Sequence, residues 1–132
     1  MLDTEGFITK IRNLIANGTS LALTSVFSPE LPQTGDNICC VTMLGGNPTY
    51  NLCGNEYYTI TFRTLVRGTT NDTTTRTLAD EIYNTLNLEQ NETFTTGTII
   101  HILATSTPVY IGKDENQRVL YNITFGAKVK GE

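Results

Sequence analysis

One run, Glu56-Tyr57-Tyr58-Thr59-Ile60-Thr61-Phe62-Arg63-Thr64-Leu65-Val66-Arg67, constrains the fold more than any other part of the chain. Successive side chains of an extended strand point to opposite faces. Tyr58, Ile60, Phe62, Thr64 and Val66 therefore share one face, and Tyr57, Thr59, Thr61, Arg63, Leu65 and Arg67 share the other. The first is a core face and the second is mostly polar, the pattern of a sheet covered on one side.

The flanking segments supply the cover. Residues 4–17 read as an amphipathic helix, with Phe7, Ile11 and Leu14 at i, i+4, i+7 and Ile8 and Ile15 widening the stripe. Asn17-Gly18 ends it, with Gly18 suited to a left-handed C-cap. Leu21–Phe27 is a short strand, and the Pro-rich Ser28–Gly35 breaks regular structure. Asn37–Leu44 is a buried strand, followed by a Gly45–Thr49 loop. After Gly68–Thr70, residues 72–87 form a second helix with Asp72 as N-cap. Its apolar stripe is Thr75, Leu78, Ala79, Ile82 and Leu86, which leaves Arg76, Asp80 and Glu81 in water. A linker, Leu88–Thr96, leads to strand Gly97–Ser106; a polar hairpin from Pro108 then feeds the final strand, Arg118–Lys130. The order α-β-β-β-α-β-β predicts an α+β fold, with two helices packed on one face of a largely antiparallel or mixed sheet. Its 132 residues suit a single domain over 1–132.

Composition narrows the function. Thr occurs 24 times and Asn 12 times, a bias toward β-branched, half-buried strand surface. A formal charge of −4 excludes a chain whose main task is gripping nucleic acid, which needs clustered Lys and Arg. It equally disfavours an anionic membrane. The start, Met1-Leu2-Asp3-Thr4-Glu5, lacks the pattern of a signal peptide, and no apolar run is long enough to span a bilayer. The expectation is a soluble protein made in the cytoplasm. Four Asn-x-Thr sequons, at Asn17, Asn71, Asn91 and Asn122, are what chance supplies in so Asn- and Thr-rich a chain.

No catalytic constellation emerges. His101 is the single histidine, which removes His-pair metal sites. None of Ser20, Ser25, Ser28 or Ser106 sits in a Gly-x-Ser-x-Gly elbow. Cys39, Cys40 and Cys53 are an odd number; the adjacent pair points to opposite faces, and buried reduced thiols are expected. A Cys53–His101 dyad has no local support. Asp80-Glu81 and Asp114-Glu115 are neighbours that diverge rather than converge. Gly45-Gly46 lacks the Lys-Ser/Thr of a phosphate loop. No catalytic residue, metal ligand or cofactor is expected.

Two polar features remain. Arg63 and Arg67, on the polar face of the long strand, suit carboxylates on a neighbouring subunit. The hairpin Pro108–Arg118 is shaped to reach a neighbour. The candidate subunit-interface residues are Arg63, Arg67, Arg76, Lys113, Asp114, Glu115 and Arg118.

Several stretches together resemble one family. They are the opening helix, the link Ser28–Gly35 into Asn37–Leu44, Gly45-Gly46, and Phe62-Arg63-Thr64-Leu65-Val66-Arg67-Gly68. With them go Ala79–Asn87, Pro108–Gly112, Lys113-Asp114-Glu115 and Tyr121-Asn122-Ile123-Thr124-Phe125. Over nearly its whole length the chain resembles the tail terminator (minor capsid, tail completion) proteins of tailed bacteriophages. The resemblance implies a structural virion protein, a hexameric ring that sits on the last ring of tail tube protein, ends tube growth and meets a head-completion or connector protein. It implies no cofactor and a lumen through which DNA passes without specific binding, eased if acidic residues line it. Assembly would follow synthesis in the host bacterial cytoplasm. The alternatives are another neck or head-completion protein, a tail tube subunit, or a small enzyme.

Overall fold

The chain opens with α1 (Thr4–Gly18), which starts where the Asp3 carboxylate accepts the Gly6 N–H at 2.9 Å, satisfying a donor the helix cannot. The computed structural model describes residues 2–50 and 56–131. The helix ends differently from expectation. Gly18 is its last residue, and Thr19, in an extended conformation, closes it with its N–H on the Ile15 carbonyl. Gly18 is needed for another reason: a Cβ there would run into the Thr85 side chain, whose hydroxyl donates to the Gly18 carbonyl at 3.0 Å. The two helices meet at this point.

Among the described residues the sheet has seven strands: β1 (Val26–Phe27), β2 (Ile38–Tyr50), β3 (Glu56–Arg67), β4 (Gln90–Phe94), β5 (Gly97–Ala104), β6 (Val109–Lys113) and β7 (Val119–Gly131). Helix α2 (Asp72–Leu86) crosses between β3 and β4. The strand order is β1-β2-β3-β7-β5-β4, and among the described residues only β1–β2 is parallel. β5 and β6 lie end to end along one side of β7, on Gly131–Phe125 and on Asn122–Val119 respectively. The α+β class and the order of the main elements stand, with two short strands added.

Other boundaries moved for physical reasons. Leu21–Phe27 contains a 3-10 turn, Leu23–Ser25, and only two residues of strand, Val26–Phe27. The Gly45–Thr49 stretch is not a loop: β2 runs straight through it, with a bulge between Met43 and Gly45. Gly45 takes φ +93 at that bulge, and a Cβ on Gly46 would collide with the Thr59 carbonyl across the ladder. Asn71, not Asp72, caps α2, accepting the Thr74 N–H at 3.3 Å. Asp72 instead accepts from the Tyr121 hydroxyl at 2.7 Å and pairs with Arg76 at 3.6 Å.

Both helices pack on one sheet face. Phe7, Ile11 and Ile15 of α1 and Leu78, Ala79, Ile82 and Leu86 of α2 join Ile60, Phe62, Val66, Ile99, Ile102, Ile123 and Phe125 in one buried cluster. At its centre Phe62 stands opposite Phe125 in register, their rings stacked at 5.3 Å, with Phe7 edge-on to Phe62 at 5.7 Å. Each such ring stabilises the fold by about 1.5–3 kcal/mol through burial alone, so this trio anchors α1 to the middle of the sheet.

Candidate functional site

The sheet face opposite the helices is the one that the two helices leave uncovered. Register places Arg63 beside Thr124, Leu65 beside Asn122, Thr61 beside Gly126 and Thr59 beside Lys128 on that outer face. Leu103 continues the Gly126 row and His101 the Lys128 row. Gly126 has nothing within 4 Å of where a Cβ would be, so this row is open in mid-face. Among the described residues, four buried side-chain atoms that could hydrogen-bond lack a partner: Arg63 Nε, Thr64 Oγ1, His101 Nδ1 and Asn122 Oδ1. By register Arg63, His101 and Asn122 lie on the outer face, and only Thr64 faces the helices. Unmade bonds of this kind cost about 1–3 kcal/mol each.

One end of the outer face is already occupied by the chain itself. Arg67 and Arg118 are 6% and 8% exposed. Arg67 donates from Nε and Nη2 to the Gly35 carbonyl, at 3.2 and 3.0 Å. Arg118 donates to the same oxygen at 2.9 Å and to the Gln33 carbonyl at 2.9 Å. Its Nε pairs with Asp114 at 2.8 Å, while Asp36 lies 3.6 Å from its Nη1. Asp114 also accepts the N–H groups of Asn116 and Arg118, both at 2.9 Å, closing the hairpin turn. Burial pushes the Asp114 carboxyl up, but these N–H donors and the Arg118 guanidinium together hold it below its ordinary value. Burial is the main influence that lowers Arg67, with the neighbouring Arg118 charge second. The Pro-rich segment is thus clamped onto the sheet by two arginines, whose charged donors make stronger bonds to its carbonyls than neutral ones would.

The candidate interface residues therefore divide. Arg67, Asp114 and Arg118 form one internal network, which periodicity could not reveal because the Gly35 and Gln33 acceptors come from far along the chain. Arg63 lies half-buried in mid-face, Lys113 and Glu115 are exposed at the hairpin, and Arg76 is exposed on the helix side. The structure does not bring these four together. Sequence reading missed β6: Val109, Tyr110 and Ile111 are 47%, 52% and 50% exposed on a strand whose one ladder is with β7. Its signal was present in the alternation-free apolar run after Pro108.

Neither described thiol is placed as a reactive group. Cys39 and Cys40 are free and buried, on opposite faces, with Cys39 in the core cluster. Burial above all, and then its neighbour Cys40, pushes Cys39 up to about 12. Cys53 lies outside the described residues, and so does any dyad it would form. Among the described residues no group of three or more His, Cys, Asp or Glu side chains is placed to hold a metal ion. No helix is long and apolar enough to cross a membrane.

Against known proteins, the model of a family described as bacteriophage tail terminator protein matches residues 8–130. Among solved structures, a chain of the virion of a native gene transfer agent particle shares the fold, with a TM-score of 0.61 at 13% identity. That alignment covers 92% of this chain and 84% of the other. Among curated protein sequences none matches.

Proposed function

The chain belongs to the bacteriophage tail terminator family, and from that premise we propose that it caps the head-proximal end of the tail tube, ends tube polymerisation and forms part of the head–tail joint. It is a structural virion component and not an enzyme. The observation that carries the capping role is the match itself, which takes in residues 8–130 as one unit and so nearly the entire fold. The outer sheet face adds support, since it is uncovered by the helices and open in mid-face at Gly126, between Thr61 and Leu103.

A subunit that halts a polymer must bind the growing end and present no copy of that end on its far side. An α+β layer meets this demand, because one face is a polar sheet and the other is two helices. In this reading copies join in a hexameric ring, the outer face around Arg63 seats against a sibling or a tube subunit, and the clamp of Arg67, Asp114 and Arg118 keeps that face in shape. Arg76, Lys113 and Glu115 serve as rim contacts. A connector protein takes the opposite side. A charge of −4 per copy disfavours gripping phosphates, so the genome passes without specific contact.

The test is to inactivate the gene in the particle that encodes it and measure tail lengths by electron microscopy. Overlong tails without heads are expected. Tails of normal length with defective heads would indicate a head-completion protein instead, and absence of tails a tube subunit.

A further inference from the structure

The uncovered sheet face carries charge of one sign. Register puts Arg63, Lys128 and Lys130 on it, with His101 beside Lys128. None of the chain's 13 Asp and Glu residues falls at an outer-face position of β3, β5 or β7, although the whole carries −4. The acid nearest by register is turned the other way: Glu92, opposite the buried Ile99, meets Lys10 of α1 at 3.2 Å.

Four cations are answered within the chain, Lys10 by Glu92, Arg76 by Asp72, and Arg67 and Arg118 by Asp114. Among the described residues Arg63, Lys128 and Lys130 have no carboxylate partner; Lys128 has the Tyr57 ring, 5.9 Å away. Lys128 and Lys130 stand on one side of one strand, roughly 7 Å apart, where like charges repel in the free protein. A carboxylate surface laid on them relieves that repulsion, and complementary charge also orients docking.

Shape narrows the chemistry. Gly126 leaves a gap between its register neighbours Thr61 and Leu103, with nothing within 4 Å of where its Cβ would be. Strand spacing makes the gap about 10 Å across from Thr61 to Leu103, room for one side chain. Leu103, 45% exposed, gives it an apolar wall. Arg63 lies one row to one side of the gap and Lys128 one row to the other. A nucleic acid suits this poorly, since it wants clustered Lys and Arg and has no apolar side chain for the gap.

We propose that the outer sheet face binds an acidic protein surface on the end of the tail tube. One apolar side chain of that surface enters the gap at Gly126, and carboxylates on either side of it meet Arg63 and Lys128. This rests on the capping reading, which allows a sibling or a tube subunit on that face, and states the chemistry that the tube end must offer.

The probe is the tail tube purified from particles in which this gene is inactivated, pelleted with the full-length protein. Wild type should bind, with a dissociation constant that rises about 10-fold or more between about 0.05 and about 0.5 M salt. Arg63→Gln and Lys128→Gln should each weaken binding about 10-fold at low salt and flatten the salt dependence, and Gly126→Tyr should abolish it. Thr77→Glu, at an exposed position of α2, makes the same change in net charge as either glutamine variant and should bind as wild type. Thermal unfolding checks that each variant is folded; if Arg63→Gln is not, Lys128→Gln, at an exposed position, decides. Binding that ignores salt and both glutamine variants overturns the proposal and leaves capping, read from tail length, intact. So does a wild-type oligomer that Lys128→Gln dissociates, which gives the face to a second copy, or a double-stranded DNA complex that Lys128→Gln abolishes, which gives it to nucleic acid. Failure to bind tubes overturns it too, and if loss of the gene also leaves tails at normal length, capping falls with it.

Discussion

Arg67 and Arg118 donate to one and the same acceptor, the carbonyl oxygen of Gly35, at 3.0 and 2.9 Å. Two like charges converge there because Asp114 lies under both, 2.8 Å from Arg118 and 3.9 Å from Arg67. Removing Arg118 takes the guanidinium partner from Asp114 and the donor from the Gln33 carbonyl, and leaves Arg67 alone to hold Gly35. Breaking a buried pair costs about 3–5 kcal/mol; Asp114 retains some water, so Arg118→Ala should cost about 2–3 kcal/mol, read by urea unfolding. Arg67→Lys should also destabilise, because an ammonium lacks the planar fork that places two donors on one oxygen. Unchanged stability in both would show that the clamp is incidental.

The same network makes the fold acid-sensitive. Asp114 is held below its ordinary value, and so is Asp3, chiefly by the Thr96 hydroxyl and then by the Gly6 N–H. A depressed carboxyl contributes stability that is present above its unfolded value, about 3.9, and is lost as pH falls through its folded value. Unfolding free energy should therefore drop below about pH 4. In Asp114→Asn that drop should be shallower, from a lower starting stability. Acid titration by circular dichroism measures both slopes.

Cys39 offers a check on the interior from the alkaline side. Its thiol is raised to about 12 by burial, so the neutral form is favoured on folding. Stability from that preference is complete below its unfolded value near 9 and declines as pH climbs toward 12. In a Cys53→Ser background, a thiol reagent at pH 8 should find no reactive group in the native protein and two after denaturation. Rapid labelling of the native form would mean that the β1–β2 region opens readily.

How much of this was legible depended on range. The period-2 pattern placed Ile60, Phe62 and Val66 inside correctly, because alternation is a local property that the structure keeps. The stripe read as Phe7, Ile11 and Leu14, widened by Ile8 and Ile15, found the right side of the helix, although Ile15 is the buried member and Leu14 and Ile8 only partly so. Parity also put Arg67 on the outer face, but not what covers it, since the Gly35 carbonyl arrives from another part of the chain. Gly45-Gly46-Asn47-Pro48 has turn chemistry, yet the ladder with β3 holds it extended, a tertiary override of propensity. β4 stayed hidden because Asn91, at φ 56, interrupts any strand pattern, and its pairing is with β5. The interface candidates were chosen by charge, which finds arginines but cannot tell a clamp from a contact.

Glycine on the two faces separates folding from assembly. At Gly46 a Cβ would strike the Thr59 carbonyl, so Gly46→Ala should cost about 1–3 kcal/mol, as overpacking does. At Gly126 a Cβ meets open space, and φ is ordinary. Gly126→Ala should leave stability unchanged or raise it by up to about 1 kcal/mol, since alanine loses less backbone entropy in a strand. Gly126→Tyr should also fold, because strands accept aromatics and its Cβ meets open space on the uncovered face. In the particle it should nevertheless abolish tail-length control, since the ring would stand where the proposed neighbour sits on Thr61 and Leu103. Thermal unfolding of the purified variants and tail lengths from micrographs measure the two effects independently. A Gly126→Tyr protein that folds normally and still yields tails of wild-type length would show that the outer sheet face is not the seat of the capping contact.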